Sequence, residues 1–63
     1  MKIPSQEKIV MQYVFDGAPC YTVTRNPMQK YTLYKINYGD YQKLKTSDSP
    51  IDFDKIVEKD RDN

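Results

Sequence analysis

Pro4-Ser5-Gln6-Glu7-Lys8-Ile9-Val10-Met11-Gln12-Tyr13-Val14-Phe15-Asp16-Gly17 decides the fold, because it can be read in two ways. Pro4-Ser5 followed by Gln6-Glu7-Lys8 resembles a helix start, with a capping serine and an acid in the first turn. Gly17 would stop that helix. On a helical wheel Lys8, Gln12 and Asp16 form one polar stripe, and Ile9, Val10, Met11, Tyr13, Val14 and Phe15 cover the remaining girth. Read as a strand, the same residues put Ile9, Met11, Tyr13 and Phe15 on one face and Val10, Gln12, Val14 and Asp16 on the other. They are β-branched and aromatic, and Asp16-Gly17 is a hairpin signal. The start signal is the more complete, so residues 6–15 are expected to be helical, with a strand as the alternative.

The middle of the chain has a single reading. Cys20–Arg25, Lys30–Asn37 and Tyr41–Thr46 alternate in polarity and are rich in threonine and tyrosine. Asn26-Pro27-Met28-Gln29 and Tyr38-Gly39-Asp40 separate them as turns. Short turns between successive strands give an antiparallel meander. Val23, Leu33 and Leu44, with Tyr21 and Tyr31, are the expected inward positions, while Tyr34 and Ile36 face the other way. A C-terminal helix follows: Ser49 can cap it, Pro50 suits its first position, and Phe53, Ile56 and Val57 form one apolar stripe. Residues 58–63 are expected to fray. The expected fold is therefore α+β, a three-stranded antiparallel meander with an N-terminal and a C-terminal helix. The alternative is a four-stranded meander plus one C-terminal helix.

Sixty-three residues make a single small domain, 1–63, which normally needs a staple or a partner for stability. One cysteine, Cys20, excludes an internal disulfide, and the lack of histidine leaves no tetrahedral zinc set. No metal or cofactor is expected. Apolar runs reach only three residues, so no membrane span is expected, and a lone cysteine fits the cytoplasm.

Catalytic patterns are weak. No histidine is present to activate Cys20. Ser5-Gln6-Glu7-Lys8 matches the Ser-x-x-Lys pattern, yet a capping serine beside a solvated lysine explains it. Asp48, Asp52, Asp54 and Glu58 lack the order of a calcium loop and read as capping or solvation. The two glycines, Gly17 and Gly39, build no phosphate cradle. The chain is expected not to be an enzyme.

The net charge of +1 hides an asymmetry. Residues 17–46 are basic and residues 47–63 acidic. Arg25, Lys30, Tyr34, Lys35, Tyr38, Tyr41, Lys43 and Lys45 lie on or between the three strands and form the candidate interaction surface. Tyrosine is enriched at protein interfaces, and bases also stack on tyrosines while lysines follow phosphates. A three-stranded sheet with a helix behind it is similar in layout to the arm-type DNA-binding domains of phage integrases, which implies a nucleic-acid-binding module. The expected function is a non-catalytic binding or regulatory protein acting through contact with another protein, with the nucleic-acid module second and its binding weak. Surplus apolar surface on residues 9–15 points to a homodimer.

Overall fold

The computed structural model describes residues 3–62. Met1, Lys2 and Asn63, the last residue of the tail expected to fray, lie outside the described residues. Four strands, β1 (Lys8–Phe15), β2 (Ala18–Arg25), β3 (Tyr31–Asn37) and β4 (Asp40–Ser47), precede one helix, α1 (Phe53–Asp62). The strands form a single antiparallel meander in the order β1-β2-β3-β4. The alternative architecture is therefore the one adopted, and the N-terminal helix over residues 6–15 is corrected to a strand.

The physical reason lies at both ends of that segment. Its helix-start signal closes one turn only: the Glu7 amide donates to the Pro4 carbonyl at 3.0 Å. At the other end Asp16 and Gly17 both take positive φ, 55° and 79°. This is the two-residue hairpin geometry whose twist matches the flanking strands. It turns β1 back along β2, from the Phe15–Ala18 pair to Lys8–Arg25. Tyr38 and Gly39, at 51° and 83°, make the same kind of turn between β3 and β4. The β2–β3 turn is tied by Asn26, whose Oδ1 accepts from the amides of Met28 and Lys30, each at 3.0 Å.

Helix α1 covers one sheet face. Tyr21, Val23 and Leu33 are buried against Phe53 and Val57, with Tyr13, Phe15, Tyr31, Leu44 and Ile56 packed around them. All five expected inward residues are in this cluster. Each fully buried apolar side chain of this size contributes roughly 1.5–3 kcal/mol.

Tyrosine hydroxyls tie the rim of that core to the acidic helix. Tyr13 OH donates to Asp54, and Tyr21 OH donates to Asp60. Lys35 adds an ion pair to Asp60 at 3.0 Å. Arg61 lies over the Phe15 ring, 3.6 Å from its centroid. These contacts explain why the helix runs on to Asp62 although the sequence of the tail is all polar.

The opposite face is also closed over β2 and β3. Thr22, Thr24 and Tyr34 are 0% exposed and Thr32 is 4% exposed. Thr22 faces Tyr34 across the two strands, and Thr24 faces Thr32. Glu7 reaches over this face from the start of β1. Its carboxylate accepts from Thr24 Oγ1 at 2.5 Å and from Tyr34 OH at 2.9 Å. Tyr41 meets the Tyr34 ring edge-on, with centroids 6.1 Å apart.

Candidate interaction surface

The eight residues singled out in the sequence do not form one patch. Tyr34 is fully buried beneath Glu7. Lys35 is held by Asp60 on the helix side, and Lys30 pairs with Asp48. Lys45 pairs with Leu33 and so shares the helix-covered face, whereas Lys43 pairs with Tyr34 on the other. Tyr41 is half-buried, while Arg25 stands exposed at the end of β2. Tyr38 projects fully into solvent from the β3–β4 turn. Tyr34, Tyr41 and Lys43 share the face away from the helix, and Lys35 and Lys45 the helix-covered one.

The exposed apolar surface lies elsewhere. On β1, Ile9, Val10, Met11 and Val14 are 52%, 48%, 39% and 56% exposed. β1 is an edge strand, and between Lys8 and Asp16 it carries no charge. The other edge, β4, carries Asp40, Lys43 and Lys45, the device by which sheets discourage further pairing. The two edges are thus unlike: one is guarded by charge and the other is not. Val10 is the extra residue of a bulge, which falls between the pairs Ile9–Thr24 and Met11–Val23. Beside β1, on the helix side, runs a groove of about 300 Å³. Tyr13, Phe15 and Val57 give it an apolar floor, and Asp54, Glu58 and Arg61 its charged rim. The sequence marks residues 9–15 as surplus apolar surface, and the strand adds what the helical reading lacks, an edge with free backbone groups.

Electrostatics bear on stability more than on chemistry. Burial, then the hydrogen bond to Asp54, pushes the Tyr13 pKa up to about 12. Burial and the Asp60 hydrogen bond do the same for Tyr21, and burial and the Glu7 hydrogen bond for Tyr34, each to about 12. The hydrogen bonds from Tyr21 and Lys35 hold the Asp60 carboxyl below its usual value. All three tyrosines remain protonated donors at neutral pH. Cys20 is half-buried, and its thiol donates to the Ala18 carbonyl at 3.5 Å. Among the described residues, no group of three or more Cys, Asp or Glu is placed to hold a metal ion. No described helix is long and apolar enough to cross a membrane.

No family model matches the chain, and neither a curated protein nor a solved structure matches it.

Proposed function

We propose that this chain is a non-catalytic binding or regulatory protein that acts by contact with another protein. The observation carrying this reading is the β1 edge: four exposed apolar side chains on an edge strand that no charge guards. Such an edge offers backbone donors and acceptors together with side-chain surface, which is the recognition mode of strand addition. Nucleic-acid binding is the less favoured reading. Of the basic residues on β3 and the turn before it, Lys30 and Lys35 are already paired with Asp48 and Asp60. Few phosphate contacts give weak, salt-sensitive binding. The lone cysteine favours a reducing compartment, so we place the protein in the cytoplasm.

The test is affinity capture from the native source with the wild type and two variants. Protein captured by the wild type, lost with Val14→Lys and kept with Lys43→Glu/Lys45→Glu, is the expected result. Captured nucleic acid with the opposite pattern would overturn the reading.

A further inference from the structure

We infer that the partner of the β1 edge is a second copy of this chain, joined β1 to β1 in antiparallel fashion about a two-fold axis at Gln12. This rests on the reading of β1 as the contact surface and names its occupant.

The argument begins with the faces of β1. Its pairs with β2 put Lys8, Met11 and Tyr13 on the side of Arg25, Val23 and Tyr21, which is the helix side. They put Ile9 and Gln12 opposite Thr24 and Thr22, on the other side. Beyond Tyr13, Phe15 returns to the helix side, against Tyr21 and Arg61, leaving Val14 opposite. An isologous interface needs each residue to meet one on the same face of the other copy. Placing Gln12 against Gln12 and leaving Val10 out, as the bulge already does, meets that demand throughout. Met11 then faces Tyr13 of the second copy, Ile9 faces Val14, and Lys8 faces Phe15. Ile9 and Val14, both more than half exposed in one copy, cover each other twice.

Charge is mixed in this register. Lys8 comes one position from Asp16 of the second copy at both ends of the interface, while Asp16 itself comes opposite Glu7, whose carboxylate is occupied by Thr24 and Tyr34. Lys8 and Met11 of the second copy lie along the helix-side groove. Glu58 and Asp54 on its rim favour the lysine, and Arg61, held on the Phe15 ring, opposes it. The product is one eight-strand sheet with both helices on the same side. Its outer edges are the two charged β4 strands, so assembly stops at two.

Gln12 is exposed and outside the core, which makes it a clean probe. In sedimentation at micromolar to 100-micromolar concentration, the wild type is expected to be a dimer. Gln12→Lys and Gln12→Glu, each alone, should dissociate more than tenfold more readily, because like charges meet on the axis. An equimolar mixture of the two should restore the dimer. Gln12→Cys in a Cys20→Ser background should oxidise to a 12–12 disulfide. A monomeric wild type, or a dimer indifferent to Gln12→Lys, overturns the inference. If that monomer still captures a protein through Val14, the edge takes a foreign strand, and the binding reading survives while this one fails. Circular dichroism of each variant confirms that the fold is retained.

Discussion

Thr22 and Thr24 sit two residues apart on β2, both 0% exposed on the same sheet face, and the same substitution should move stability in opposite directions. Thr22 Oγ1 is buried and meets no hydrogen-bond partner among the described residues. Thr24 Oγ1 donates to the Glu7 carboxylate at 2.5 Å. Valine replaces the hydroxyl with a methyl of nearly the same shape, so packing changes little in either case. At position 22 the change removes a desolvated hydroxyl, whose burial without a partner costs about 1–3 kcal/mol. Thr22→Val should therefore stabilise the fold by about 1 kcal/mol or more, raising Tm by roughly 4–8 °C for each kcal/mol. At position 24 it removes a hydrogen bond to a charged group, which contributes about 1.5–3 kcal/mol. Thr24→Val should destabilise accordingly, and among the described residues Tyr34 OH then remains as the side-chain donor to Glu7. Urea and thermal unfolding followed by circular dichroism, at one fixed protein concentration, reads both. Loss of stability in Thr22→Val, or indifference in Thr24→Val, would refute this account of the second face.

Three further outcomes follow from the core, one turn and the tyrosines. Phe53 is 0% exposed and heads the helix stripe, so Phe53→Ala should cost about 3–5 kcal/mol, measured by denaturant unfolding; an unchanged midpoint would mean α1 is not docked as described. Tyr38 holds φ at 51° with its ring wholly in solvent, so Tyr38→Asn, which suits the first position of this turn, should stabilise by about 0.5–1 kcal/mol; a loss of thermal stability would contradict the turn assignment. Tyr13, Tyr21 and Tyr34 have folded pKa values near 12 against about 10 unfolded, so the folded state binds their protons more tightly. Their contribution is complete below pH 10 and is lost as pH rises from 10 to 12; stability that stays flat across that window would remove the tyrosine–carboxylate contacts from the account.

The three later strands and the helix stripe were legible because each carries its own period and its own turn residues. Val23 and Leu33 alternate inward, and Asn26-Pro27 and Tyr38-Gly39 turn the chain between strands. Residues 8–15 carry both readings, the strand only as the alternative, because Ser5 and Gly17 carry helix punctuation that the structure spends on a local turn and a hairpin. Local signals were outweighed there by pairing with β2, a contact between segments. The role of Glu7 was hidden for a similar reason: its donors lie 17 and 27 residues away. Alternation places Tyr34 on the face away from the helix, and it is there, yet Glu7 and its neighbours bury it. The acids of α1 read as capping or solvation, although a tyrosine hydroxyl drawn into a core calls for a partner, and Asp54 supplies one to Tyr13 and Asp60 one to Tyr21. The candidate surface went the other way. Its lysines were visible in the sequence, whereas their pairing with Asp48 and Asp60 depends on the fold.

Amide hydrogen exchange of the β1 and β4 edges, followed by NMR in the wild type and in Gln12→Lys at one concentration, tests the central claim most directly. If β1 is the contact edge, its outward-facing amides should be protected in the wild type and exchange faster in the variant, while those of β4 stay unchanged. Equal exchange of the β1 amides in the two proteins, or a loss of protection at β4 instead, would contradict it.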